Sequence, residues 1–166
     1  MLSNAGLNPE VREYKKAYGQ FSSNKTQKPE TLKPYKIELD TQEGENEGVR
    51  GIDFENGDLK IKQSGAYLII ACPQIGKLSG VIPRWIDFWV RVNGIDVPNS
   101  NIRCVIQDPE EKIAVMLNLV WSLNKNDTVN IMMAKETNVD GLGIEAMQPV
   151  NEPTIPSIIV TIVQLD

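Results

Sequence analysis

Three carboxylates around one predicted turn are the residues best spaced for acid–base chemistry. Asp53 and Glu55 precede Asn56-Gly57, and Asp58 follows it. An Asn-Gly pair accepts the positive φ angles of a two-residue hairpin turn, and paired carboxylates can hydrolyse glycosidic bonds. Because acidic side chains at turns are usually solvated, we predict a protein that is not an enzyme. A carbohydrate-active enzyme that uses these paired carboxylates is kept as an alternative.

A second acidic segment could bind a metal ion. Asp40, Glu43, Glu45 and Glu47 lie close together in the sequence, and carboxylate oxygens are ligands that Ca²⁺ prefers. The segment lacks the spacing and the central glycine of an EF-hand loop. We therefore expect a solvated loop, with Ca²⁺ binding as the alternative and no other metal or cofactor.

The composition removes several kinds of catalytic site. The chain has no histidine, which excludes Ser-His-Asp and Cys-His nucleophilic centres and most catalytic zinc sites. Cys72 and Cys104 are too few for a disulfide framework and are interpreted as small, buried hydrophobic residues. We expect no catalytic residues.

Two tryptophans form the candidate ligand surface. In the predicted strand over residues 84–92, Trp85 and Trp89 share one face, while Ile86 and Phe88 lie on the other. The Ile and Phe face is assigned to the core, which leaves the tryptophans outside. There they could stack on a sugar or anchor a protein partner, or else pack beneath a long loop.

Charge and hydropathy limit the partners. The net charge of -5 disfavours nucleic acids, which are bound through clustered Lys and Arg. The first residues lack the basic head and apolar run of a secretory signal, and no apolar run approaches the length of a transmembrane helix. We expect a soluble chain with neither nucleic-acid binding nor membrane insertion.

The elements that must position these residues are strands. From Tyr35 onward, segments rich in β-branched and aromatic residues alternate with turn signals, which predicts an all-β fold: a two-sheet antiparallel jelly-roll sandwich of about ten strands. The predicted domain covers residues 35–166. Residues 1–34 are predicted to be an N-terminal arm and linker, with a short helix at 9–19 because Asn8-Pro9-Glu10 suits a helix start.

Three predicted strands have no polar face. Gly65 to Pro73, Ile113 to Leu123 and Ile158 to Leu165 are largely apolar at both alternating sets of positions. In a sandwich one face of each sheet forms the core and the other normally meets water. A second subunit must therefore cover the outer face, and closed homo-oligomers are the usual solution.

Two stretches resemble the tumour necrosis factor and complement C-one-q superfamily of trimeric jelly rolls. Gly51 to Ile70 resembles the family's first hairpin and its following Gly-x-Tyr strand. Trp121 to Val129 is similar to the motif between the family's sixth and seventh strands, with Asn126 where the family has Gly. No collagen-like stalk is present, so the resemblance covers only the globular head.

The resemblance implies a homotrimer and assigns the faces of the apolar strands. It places Leu68, Ile70, Cys72, Ile159, Thr161, Val163 and Leu165 at the trimer interface, and Tyr67, Ile69, Ala71, Ile158, Val160 and Ile162 in the core. It also implies protein or glycan ligands. We predict a non-enzymatic trimeric head that binds a ligand or decorates the surface of a cell, spore or viral particle, and a purely structural shell or fibre subunit is the alternative.

Overall fold

The structure is a computed structural model that describes residues 15–44 and 48–166. These residues form fourteen strands and no helix. The strands are β1 (Tyr18–Ser23), β2 (Tyr35–Lys36), β3 (Thr41–Gln42), β4 (Ile52–Glu55), β5 (Asp58–Ile61), β6 (Gly65–Gly76), β7 (Arg84–Val92), β8 (Ile95–Asp96), β9 (Ile102–Ile106), β10 (Ile113–Ala114), β11 (Leu117–Leu123), β12 (Thr128–Lys135), β13 (Gly143–Ile144) and β14 (Ile158–Gln164).

The strands form two antiparallel sheets. Sheet I has the order β3-β1-β14-β6-β11, with β10 and β13 paired to the end of β6. Sheet II has the order β4-β5-β12-β7-β9, with β2 beside β12 and β8 beside β7. The predicted all-β sandwich of two sheets is confirmed, and its topology is compatible with a jelly roll. In the described part of the chain, no helix is long and apolar enough to cross a bilayer.

The core lies between the inward faces of the two sheets. Sheet I contributes Tyr67, Ile69 and Val160, and sheet II contributes Phe88 and Ile131. Four of these side chains are completely buried, and Ile131 is 2% exposed. Strict alternation along β6 and β14 produces this face, since successive side chains of a strand point to opposite sides of the sheet.

The three apolar strands of the sequence lie side by side. β6 pairs with β11 through the register Leu68↔Val120 and with β14 through Leu68↔Val163. The predicted strand over residues 113–123 is interrupted at Val115–Met116, which separates β10 from β11. Both pieces pair with β6 in one continuous register, and Val115 N–H still donates to Pro73 O at 3.1 Å. The prediction that the three segments belong to one sheet is confirmed.

The predicted N-terminal arm is partly wrong. Residues 15–17 are not helical, and β1 is an interior strand of sheet I between β14 and β3. Ala17 N–H donates to Gln164 Oε1 at 2.9 Å, and Gln164 N–H donates to Ala17 O at 2.8 Å. The sandwich therefore includes Tyr18–Ser23, although the prediction began it at residue 35. The first six residues of the predicted helix, 9–14, lie outside the described residues.

The two ends of the sandwich differ. At the end called here the turn end, Ser64, Asn93-Gly94 and residues 124–127 meet: Asn93 Nδ2 donates to Asp127 Oδ1 at 2.7 Å, and Lys125 N–H donates to Ser64 Oγ at 2.9 Å. The opposite end, called the loop end, consists of residues 24–28 after β1 and the connections 77–83, 107–112 and 136–157, the last of which contains β13. Long connections are where binding residues concentrate.

Candidate functional site

The three carboxylates of the enzyme alternative line one open depression. Asp53, Glu55 and Asp58 surround a concavity of about 750 Å³ beside the β4–β5 hairpin. Asp53 Oδ1 lies 2.7 Å from Lys62 Nζ, and Asp58 Oδ1 lies 2.9 Å from Lys36 Nζ. Two of the three acids are therefore already paired with lysines.

The environment of Asp58 does not suit a general acid. Burial by itself would raise its pKa, but hydrogen bonds from Lys36 and from Asn130 Nδ2 (2.7 Å) outweigh burial and lower the pKa below its ordinary value. A glycosidase's general acid needs a raised pKa so that it holds a proton at working pH. The arrangement favours an ionised carboxylate in a polar network.

The second acidic segment is held by its own neighbours. Asp40 accepts hydrogen bonds from Asn24 N–H and Thr41 Oγ1, and Glu43 accepts one from Ser22 Oγ. Glu45 and Glu47 lie outside the described residues. Among the residues that the structure describes, no group of three or more His, Cys, Asp or Glu side chains has an arrangement that could hold a metal ion.

Trp85 lies on the outward face of sheet II beneath an arginine. The Arg103 guanidinium is 4.0 Å from the centroid of the Trp85 ring, a cation–π distance. Arg103 Nε and Nη2 each donate to a carboxylate oxygen of Asp87 at 2.8 Å. One side of the indole is thus covered by an arginine that Asp87 holds in place.

Trp89 shares that outward face but is nearly buried. It is 8% exposed, and its Nε1 donates to Asp96 Oδ1 at 2.6 Å across the β7–β8 hairpin. The hydrogen bond from Arg91 and then that from Trp89 lower the pKa of Asp96. The two tryptophans share a face, as predicted, but the structure covers each with neighbouring side chains.

The residues predicted for the core and for the interface fall on opposite faces of sheet I. Tyr67, Ile69, Ala71, Ile158, Val160 and Ile162 are all completely buried within the monomer. The predicted interface residues alternate with them along β6 and β14 and face outward. Six of these are half-buried, namely Leu68, Ile70, Cys72, Ile159, Thr161 and Val163, while Leu165 is 44% exposed.

The outward faces of the two sheets differ in charge. Register and alternation place no charged residue on the outer face of β1, β6, β11 or β14, the four longest described strands of sheet I. The outer face of sheet II carries both signs: Asp53, Asp58, Lys60, Asp87, Arg91 and Arg103. Only sheet II has the ionic outer face that is usual in a solvated sandwich.

A partly buried ionic cluster lies at the loop end. Lys28 Nζ and Lys112 Nζ both contact the Glu145 carboxylate, Lys112 at 3.0 Å. Burial would raise the pKa of Glu145, but the hydrogen bonds and charges of the two lysines lower it overall. Gly76 makes room for this carboxylate, since a Cβ at position 76 would lie 2.3 Å from the Glu145 side chain.

Two further lysines at the loop end are buried, and neither was among the predicted site residues. Lys77 is 1% exposed, and its Nζ donates to Ile82 O at 2.9 Å; Lys135 is 5% exposed, and its Nζ donates to Leu142 O at 3.1 Å. Burial, and then the charge of Lys28, lowers the pKa of Lys135. The sequence did contain a signal for their burial. Side chains alternate between the two faces of a strand, and Lys77 in β6's alternation and Lys135 in β12's both fall on the inward face.

No protein-family profile matches this chain, and no curated protein is significantly similar to it. What the protein does is therefore inferred from the geometry of its surfaces. Two surfaces are candidates for binding. They are the uncharged outer face of sheet I and the loop end, where several aliphatic side chains are exposed.

Proposed function

We propose that this protein is a non-enzymatic binding head that assembles as a homotrimer of jelly rolls, resembling the tumour necrosis factor and complement C-one-q superfamily. Three copies bury the outer face of sheet I around a threefold axis, and the loops display a surface for a protein or glycan ligand. Such a head suits the exterior of a cell, spore or viral particle.

The observation that carries the proposal is the uncharged outer face of sheet I. Leu68, Ile70, Ile159 and Val163 lie on the same face of two adjacent central strands, interrupted only by the uncharged Thr161. Extended apolar patches on soluble proteins mark interaction sites. The matching face of sheet II is charged, so this apolar surface is particular to one sheet.

The placement of the two family-like motifs supports the trimeric jelly roll. The first motif covers the β4–β5 hairpin and the following strand β6. Counting β1, β5, β6, β7, β9, β11, β12 and β14 as the principal strands, the second motif joins the sixth to the seventh. Asn126, which replaces the family's Gly, has φ 76°, a left-handed angle that Asn adopts more readily than most residues.

Two matched valines test the assembly. Val120 on β11 is 59% exposed on the outer face of sheet I, and Val105 on β9 is 54% exposed on the outer face of sheet II. Each lies on an edge strand, so an aspartate is tolerated in the monomer at either position. We expect Val120→Asp to convert the trimer to monomers because the charge would be buried at the interface, and Val105→Asp to leave the trimer intact.

Light scattering on a sizing column and native mass spectrometry measure the result. The wild type and Val105→Asp should have three times the 18.5 kDa chain mass, whereas Val120→Asp and Leu68→Asp should have the monomer mass. Circular dichroism checks that both variants are folded. A wild type of monomer mass, or an intact trimer of Leu68→Asp, would contradict the proposal.

A glycan array and a polysaccharide hydrolysis assay test the non-enzymatic part. We expect no hydrolysis by the wild type, because two of the three carboxylates beside the hairpin turn are paired with lysines. Hydrolysis that Asp53→Asn abolishes would replace the binding head with a carbohydrate-active enzyme. Glycan binding without hydrolysis would assign the ligand to sugars, and its absence would leave proteins as the ligand class.

A further inference from the structure

We infer that the loop end is a docking surface for a protein segment that presents a lysine or arginine between aliphatic residues. The inference rests on the proposed binding function and names the class of partner. It follows from three properties of this end: exposed aliphatic side chains, a rigid backbone beneath them, and carboxylates that no internal cation neutralises.

The exposed aliphatic side chains are concentrated in the loop that follows β6. Leu78 and Val81 are each 71% exposed and Ile82 is 58% exposed. Val139 in the neighbouring connection is 59% exposed, and Val105 at the end of β9 is 54% exposed. An isolated exposed aliphatic residue is ordinary, but a group of five at one end is a candidate interaction surface.

The loop is held rigidly from below. The buried Lys77 ammonium donates to Ile82 O at 2.9 Å and closes the loop from inside. Leu78 N–H donates to Asp140 O at 2.7 Å, and Arg84 Nε lies 2.8 Å from Asp140 Oδ2. Preorganised contact residues lose little entropy on binding, so these bonds favour a docking role for the apolar side chains above them.

A depression of about 440 Å³ joins the aliphatic surface to acidic groups. Val81 and Val105 form its apolar walls, and Gln107, Asp108 and Glu111 supply the polar atoms. The side chain of lysine or arginine combines an aliphatic stem with a cationic head. The aliphatic part of that side chain would pack on the valines while its cationic group reached the carboxylates. A single side chain would thus contact both the apolar and the acidic parts of the depression.

The charges around the depression select a cation. In the described structure no lysine or arginine lies within ion-pair distance of Asp108 or Glu111. The nearby cations are used internally: Arg84 contacts Asp140 and Glu136, Arg103 contacts Asp87, and Lys112 contacts Glu145. The charge that lines the depression itself is therefore negative, which repels anionic lipid headgroups and nucleic-acid phosphates.

The test is an NMR titration of the uniformly ¹⁵N-labelled full chain with synthetic peptides. Each peptide carries Val-X-Val in a Gly-Ser frame, where X is Lys, Arg, norleucine or Glu. Norleucine keeps an aliphatic stem and removes the charge. We expect Lys and Arg peptides to shift the amide signals of Val81, Val105 and Glu111, with norleucine binding about tenfold more weakly because a charged hydrogen bond is lost.

Variants locate the binding. Val81→Ser and Glu111→Gln should each weaken the Lys peptide about tenfold, and added NaCl should weaken it further. Ile95→Ser is the control, because Ile95 is an exposed aliphatic residue (73%) on the strand that follows the Asn93-Gly94 turn. Val120→Asp, which is expected to be a monomer, should bind the Lys peptide with unchanged affinity per chain. The peptide result therefore does not depend on whether the protein forms a trimer.

The inference is overturned by equal affinity for the Lys and Glu peptides, by no binding of the Lys or Arg peptides, or by Ile95→Ser weakening binding as much as Val81→Ser. Flotation with phosphatidylcholine and phosphatidylserine vesicles tests whether the surface binds a membrane instead. Vesicle binding that Val81→Ser abolishes would assign the surface to a membrane and also overturn the inference.

Discussion

Glu145 shows how a single residue ties three segments of the loop end together. Its carboxylate contacts Lys28 from the segment after β1 and Lys112 from the segment before β10. The residue itself lies directly after β13 and is 8% exposed. A partly desolvated carboxylate between two cations is costly to leave unpaired, so this contact fixes the relative positions of the three segments.

Replacing Glu145 by glutamine should destabilise the protein at neutral pH by about 2 kcal/mol, the size of a lost hydrogen bond to a charged group. The pKa of Glu145 is lowered in the folded protein. Its contribution is therefore complete above the unfolded-chain pKa of about 4.3 and is lost as pH falls through the lower folded value. Urea unfolding measured from neutral to acidic pH should show that the free energy of unfolding falls less steeply with decreasing pH for Glu145→Gln than for the wild type.

Glu110→Gln is the matched control for this experiment. Glu110 is exposed at the same end, and no lysine or arginine of the described residues pairs with it. Its replacement should change stability by less than about 0.5 kcal/mol. Some acid sensitivity will persist in Glu145→Gln because the pKa values of Asp58 and Asp96 are also lowered. An unchanged acid profile would show that Glu145 does not stabilise the folded state.

At the scale of elements, β1 is the longest of the strands that sequence patterns alone did not reveal. Its sequence, Tyr-Gly-Gln-Phe-Ser-Ser, contains a glycine and two serines, which have weak strand preference. Pairing with β14 on one side and β3 on the other supplies the missing stability. Phe21 is completely buried, and its ring lies 5.4 Å from that of Phe54.

Phe21→Ala should therefore cost about 3 to 5 kcal/mol, the usual loss for a buried phenylalanine. Urea denaturation with an unchanged slope measures the shift in midpoint. Val150→Ala, at a loop position that is 85% exposed, should be nearly neutral. A cost for Phe21→Ala as small as that of Val150→Ala would mean that β1 is a detachable arm.

The apolar strands and the loop-end contacts differ in how far the sequence predicts them. β6, β11 and β14 were predictable because a segment of apolar residues without alternation signals burial on both faces. The contact of Leu78 with Asp140 was not predictable, because the two residues belong to separate loops that no periodic pattern relates. The burial of Lys77 and Lys135 was missed for another reason. Their positions in the strand alternation predict an inward orientation, but lysine is rarely buried, so the residue type pointed to the surface.

At the scale of the whole molecule, the outer face of sheet I links folding to assembly. If three copies bury this face, the apolar area removed from water on association contributes at about 25 cal/mol per Å². Because an obligate interface commonly buries more than about 2,000 Å², that contribution is large beside the roughly 5 to 15 kcal/mol by which a single domain is stable. The trimer would then be substantially more stable than the folded monomer.

The melting temperature should accordingly rise with protein concentration, because association stabilises only the folded chains. Calorimetry over a series of dilutions measures this dependence for the wild type and for Val105→Asp. Val120→Asp should melt at a lower temperature that does not change with dilution. A wild-type melting temperature that does not change with protein concentration would show that assembly does not stabilise the folded chain.

The hydrogen bonds between Ala17 and Gln164 set the mechanical response of the fold. They place the start of β1 beside the end of β14, next to Ser64 at the turn end. A load applied across these two residues would open the β1–β14 ladder one pair at a time, so the sandwich would unzip at low force. Attachment through only one of these residues would not pull the two strands apart. It would also leave the loop end facing away from the point of attachment.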